Sequence, residues 1–148
     1  MTVDEAFRIL ESLPAEWGAS EEEVHDVESR LGVRLPTPLR ELMLRTGREM
    51  HMRWLFPDDE ISPLNKLIDL QELAAEILEG DPPSLRPTFP FVTLSVPDGY
   101  GFSFALAGHV DIDTEVLWYQ EGRGFERALG RSLRSTIAGA IRRALCRD

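Results

Sequence analysis

Three residues near the middle of the chain have the spacing that metal chemistry uses. His109, Asp111 and Asp113 alternate, and alternate residues of a strand project from one face, so an extended segment here sets an imidazole and two carboxylates side by side. Such a set would suit a small metal-dependent hydrolase. The same alternation also describes a polar strand face turned to water, and that is the reading adopted, because nothing else in the chain completes a catalytic centre. His25 and His51 stand at no i,i+4 spacing to each other or to His109. There is no phosphate-binding loop with a following lysine, no Gly-x-Ser-x-Gly elbow and no His-Glu-x-x-His pair. Gly99 and Gly101 read as turn residues. The only cysteine, Cys146, has no base partner in sequence and reads as an inert thiol, so neither an internal disulfide nor a Cys-rich zinc site can form. The expectation is a protein without enzymatic activity, cofactor or metal.

The acidic residues point elsewhere. Asp111, Asp113 and Glu115 fall at i, i+2 and i+4 ahead of a strand, and Asp98 and Tyr100 occupy a turn expected beside them, so these five are the candidate partner-binding residues. Glu21, Glu22 and Glu23 read as the acidic first turn of a helix, and Asp58, Asp59 and Glu60 as a solvated loop that could join an interface. The chain carries 26 acidic and 16 basic residues, a formal net charge of −10. That sign repels phosphate backbones and anionic membranes, and it steers basic proteins at long range. Nucleic acid and membrane are therefore not expected as partners; a basic protein is. The acid lies upstream, since residues 122–148 hold seven arginines against Glu126 and Asp148.

These residues need elements to hold them. Thr2 with Glu5, and Ser20 with Glu23, form capping boxes ahead of two apolar helical stripes, one of Val3, Ala6, Phe7 and Leu10 and one of Val24, Val27 and Leu31. Thr37 is expected to cap a third helix with Pro38 at its first position, ended by Gly47. Met50, Met52, Trp54 and Phe56 alternate with His51, Arg53 and Leu55, which predicts a strand. Asp69 and Glu72 predict the start of a fourth helix running to Gly80. Strands are expected over 89–96, 102–107 and 115–120, with a turn at Pro97–Gly101. Ser132 or Ser135 is expected to cap a final helix carrying Leu133, Ile137, Ile141 and Leu145. Trp17, Trp54 and Trp118 are expected in the core. The order predicts an α+β fold, mainly an antiparallel sheet with helices packed on one face, in a single domain over residues 1–148.

Bulk composition agrees. The chain has 148 residues, 43% hydrophobic and 28% charged, which suffices for a buried core without staples. The first residues, Met1 to Glu5, lack the basic and apolar regions of a signal peptide, and no apolar run approaches membrane-spanning length, so a cytoplasmic location is expected.

One stretch has the spacing of a known family. Val24, Val27, Glu28, Leu31-Gly32, Leu35-Pro36, Leu39, Arg40 and Leu42, followed by Thr46-Gly47, resemble the N-terminal signature of the SUKH superfamily. Pro90-Phe91-Val92, the turn from Asp98 to Phe102, Val116 to Tyr119, and Phe125 with Ser132 to Ile141 extend the resemblance over about residues 20–145. The signature itself specifies a corner. Gly32 in a left-handed conformation would end one helix, Leu35 would enter the core, Pro36 would hold the chain extended, and Glu28 would accept backbone N–H bonds near the next helix. The resemblance implies a protein-binding role. Many bacterial members are immunity proteins that bind and block polymorphic toxins, often nucleases or deaminases, and a fungal branch regulates cell-wall synthesis and signalling as adaptors. It implies a cognate toxin as partner and carries over no catalytic or binding position.

Overall fold

The structure, a computed structural model, describes residues 1–108 and 114–147, with the side chains of residues 127–130 set aside. Both capping boxes form as the sequence predicts. Thr2 and Glu5 open helix α1, Val3–Glu11, and Ser20 and Glu23 open helix α2, Glu21–Leu31, the backbone amide of each residue donating to the side-chain oxygen of the other. Helix α3 spans Thr37–Thr46 and helix α4 Glu49–Leu55. Thr37 is already inside α3, whose cap position is Pro36, so it makes no capping bond.

Residues 50–56 correct the expected strand. They belong to α4, with Phe56 as its C-cap: Met52, Leu55 and Phe56, at i, i+3 and i+4, are buried, whereas Met50, Arg53 and Trp54 face outward. Two periods fit this short run, and unbranched helix formers together with an Arg53–Glu49 ion pair of 3.0 Å at i,i+4 favour the helical one. The tryptophan expectation fails with it. Trp54 is 38% exposed, and Trp17 and Trp118 are only half-buried.

Helix α5, Leu67–Glu79, starts earlier than expected because a 3-10 turn, Leu64–Lys66, leads into it. Strands β1, Phe91–Ser95, β2, Gly101–Leu106, β3, Glu115–Gln120, and β4, Gly124–Ser132, follow, and helix α6, Leu133–Cys146, is capped by Ser132. The four strands form one antiparallel sheet in chain order. β4 has little β propensity, and the pairing with β3 across the 121–123 turn imposes it, with an irregular register between Glu115 and Leu117.

The fold is α+β as expected. One face of the sheet, with Val92, Leu94, Ala105 and Val116, packs on α1, α2, α3, α4 and α6 in the main core. The other face carries a second, largely aromatic cluster. Phe102, Phe104 and Tyr119 are fully buried there with Ala74 and Ile77 of α5, and Phe89 and Phe91 pack beside them. The chain after α5 is held over this face because the Tyr119 hydroxyl and the Gly122 amide both donate to Asp81 Oδ2, at 2.5 and 2.8 Å.

α5 also seals an edge. The Gln71 side-chain amide donates to the Phe91 carbonyl at 2.9 Å, and its oxygen accepts the Thr93 amide at 2.8 Å. One side chain thus substitutes for a neighbouring strand along β1, which would otherwise present unpaired backbone groups.

Candidate partner-binding surface

The Leu-Gly/Leu-Pro corner joins α2 to α3 and is a structural device. Gly32 has φ +74° and ends α2, Leu35 is buried, and the buried Glu28 carboxylate accepts the Leu35 amide at 2.8 Å. Arg40 on α3 closes the corner, 3.5 Å from the other Glu28 oxygen and 2.7 Å from Glu21. The Glu28 carboxylate and the Arg40 guanidinium, the charged groups of the motif, are both spent within the chain, so the motif serves to fix two helices.

Of the five sequence-derived candidates, Asp98, Tyr100 and Glu115 are described, and these three do not converge. Asp98 and Tyr100 do share the β1–β2 turn, where Asp98 Oδ1 accepts the Tyr100 amide at 2.9 Å and the Tyr100 side chain is 63% exposed. Glu115 opens β3, whose far end, Gln120, lies opposite Gly101 beside that turn. Five residues of strand, roughly 17 Å, therefore separate Glu115 from Asp98 and Tyr100. Antiparallel order is the reason: the turn entering β2 and the entry to β3 lie at opposite ends of the sheet. Asp111 and Asp113, with His109, lie outside the described residues. Among the described residues, no group of three His, Cys, Asp or Glu side chains could hold a metal ion, and no helix is long and apolar enough to cross a membrane.

Carboxylates elsewhere sort into paired and unpaired sets. Other helices pair several of theirs internally: Asp4 of α1 meets Arg134, Glu21 and Glu23 of α2 meet Arg40 and Arg48, and Glu49 of α4 meets Arg53 and Lys66. α5 differs. Asp69, Glu72, Glu76 and Glu79 are exposed, and none of them has an ion pair or side-chain hydrogen bond among the described residues. They succeed one another at i+3, i+4 and i+3, spacings at which like charges destabilise a helix by about 0.2–0.5 kcal/mol per pair. Glu79 also ends the helix, where the dipole is negative, and the last turn has no basic residue.

This acidic face borders an apolar groove of about 370 Å³ between α5 and the β1–β2 turn. Leu73, Ile77 and Val96 supply its apolar surface, Glu76 and Glu121 its charge, and Gly99 its outer wall. Leu73 is 44% exposed. Sequence reasoning missed α5, although the signal was legible, with four acids and no base in the helix and Leu73 at the edge of the acidic stripe; Asp98 and Tyr100 belong to the turn that contributes Gly99 to the groove.

A second apolar patch lies where the turn before α2 meets α4. Trp17 stacks on His51 at 4.3 Å with planes 2° apart and meets Trp54 edge-on at 5.7 Å, beside Met50, which is 80% exposed. Arg48 and Arg53 flank it, paired with Glu23 and Glu49, and Arg147 donates to the Trp54 carbonyl.

The architecture is that of an α+β protein built on a Leu-Gly/Leu-Pro helix corner, with most helices on one sheet face and an aromatic layer, packed against α5, on the other. A family model, the SMI1 / KNR4 family (SUKH-1), matches residues 18–138. The chain belongs to that family, one of immunity proteins and regulators that are generally not enzymes. No curated protein and no solved structure gives a match.

Proposed function

We propose that this chain acts as a single-domain, non-enzymatic immunity protein of the bacterial cytoplasm, one that binds a cognate polymorphic toxin and blocks it. The observation that carries the reading is the surface of α5, whose four carboxylates have no cation partner among the described residues and stand beside an exposed leucine. A net charge of −10 attracts a basic protein over long distances. A nuclease suits this partner role, because a cleft lined with Lys and Arg to hold phosphates is complementary to an acidic plug. Affinity then comes from a few desolvated apolar contacts at the centre of the interface, and charge contributes mainly association rate and choice of partner.

The experiment is co-expression of the chain with the toxin encoded beside its gene. Restored growth and a one-to-one complex that withstands purification are expected. A chain that neither protects nor binds, and that instead co-purifies with enzymes of envelope synthesis, would fit a regulatory adaptor and defeat the immunity reading.

A further inference from the structure

Taking as its premise that the chain is a protein-binding module, we propose that the groove between α5 and the β1–β2 turn is the docking site for a basic side chain of the partner. The occupant is an arginine or lysine presented on an otherwise apolar protein segment. Its aliphatic stem lies along Leu73, Ile77 and Val96, and its charged head reaches Glu76 and Glu121. Long cationic side chains bury their stems on apolar surface and keep the charge at a polar rim, and this groove supplies both halves of that environment.

Three observations select this site over the rest of the surface. Glu76 and Glu121 have no ion-pair partner among the described residues, whereas the acids along the large cleft beside α2 are paired with Arg30, Arg48, Arg53 and Lys66. The Glu121 carboxylate also stands close to Gly80 at the C-terminal end of α5, with an oxygen 3.7 Å from where a β-carbon would lie on that glycine. Two like charges and a helix C-terminus therefore converge on one apolar cleft, an arrangement that a single incoming cation relieves. Finally, Leu73 and Tyr100, among the more exposed large apolar side chains at 44% and 63%, stand on the two elements that wall the groove. The Trp17–Trp54 patch lacks this charge signature.

The test titrates the full chain with a synthetic amphipathic peptide of alternating leucine and lysine, following backbone amide shifts. Shifts at Leu73, Val96, Gly99 and Glu121 are expected. The double variant Glu76→Gln with Glu121→Gln should bind the peptide at least about tenfold more weakly, equivalent to about 1.4 kcal/mol. A control, Glu16→Gln with Glu22→Gln, removes the same charge from exposed sites elsewhere and should bind like the parent. Equal loss in both variants, or shifts centred on Trp17 and His51, would overturn the groove. The outcomes also separate the two proposals: a groove variant that still protects against the toxin leaves immunity standing and the groove wrong. A parent chain that binds the peptide in the groove but fails to protect leaves the groove standing and immunity wrong.

Discussion

Tyr119, at the centre of the sheet, donates its hydroxyl to Asp81, thirty-eight residues earlier in the chain, at 2.5 Å. This bond ties the segment that follows α5 to the aromatic face of the sheet, and the Gly122 amide on the same carboxylate oxygen adds the β3–β4 turn to the tie. The groove depends on it, because Glu121 lies between the two donors in sequence and Gly80 immediately precedes Asp81.

Removing the Tyr119 hydroxyl should loosen this region without opening the main core. Tyr119→Phe keeps the ring in its stack on Phe102, whose centroid is 5.2 Å away, and leaves a buried carboxylate short of one donor. A fall of several degrees in the thermal midpoint is expected, with faster amide exchange in residues 81–90 than in α1–α4.

The same pair gives a pH dependence with a defined sign. Hydrogen bonds from Tyr119 and Gly122 hold the Asp81 carboxyl below its ordinary value of 3.8, and burial and the Asp81 charge push the Tyr119 hydroxyl up. A carboxyl depressed in the folded state binds protons more readily when unfolded, so its contribution is complete above its unfolded value and disappears as pH falls through the folded one. Urea melts of parent and Asp81→Asn should differ most at neutral pH. The gap should narrow below about pH 4.

Glu28→Ala removes the acceptor of the Leu35 amide in a buried corner and leaves Arg40 with only Glu21. Loss of a hydrogen bond to a charged, buried group costs about 1.5–3 kcal/mol. Chemical denaturation should show that loss with an unchanged m-value. Glu28→Gln, which keeps an oxygen in place, should recover part of it.

Gln71→Ala exposes the edge of β1. Two side-chain hydrogen bonds to the strand disappear, at about 0.5–1.5 kcal/mol each. Beyond the lower stability, concentration-dependent association measured by light scattering is expected, because an uncovered strand edge is a template for pairing.

Two glycines should respond in opposite directions to alanine. A β-carbon on Gly18 would stand 1.7 Å from the Leu44 carbonyl oxygen, a backbone atom that cannot step aside, so Gly18→Ala should be severely destabilising. At Gly139, inside α6, the nearest atom is the flexible Arg143 Nη1 at 3.4 Å. Gly139→Ala should therefore raise stability by about 0.5–1 kcal/mol, the difference in helix propensity.

Much of the fold was legible in the sequence because it is written in local chemistry. Thr2 with Glu5 and Ser20 with Glu23 start helices wherever they meet an apolar stripe, and Gly32 ends one by adopting the left-handed conformation that its neighbours resist. Glu28 was expected to accept backbone N–H bonds near the start of the next helix, and the amide it accepts is that of Leu35, in the short link just before that helix. The overall charge was equally plain, and with it the sign of the expected partner.

Tertiary structure decided what local chemistry left degenerate. Residues 50–56 carry both a strand and a helix period, and burial of Met52, Leu55 and Phe56 against the core selected the helix and turned Trp54 outward. β4 exists because β3 offers it a ladder. Likewise, strand order alone put Glu115 at one end of the sheet and Asp98 and Tyr100 at the other, and laid α5 beside that turn. Proximity between residues far apart in the chain is set by packing, and a one-dimensional pattern has no term for it.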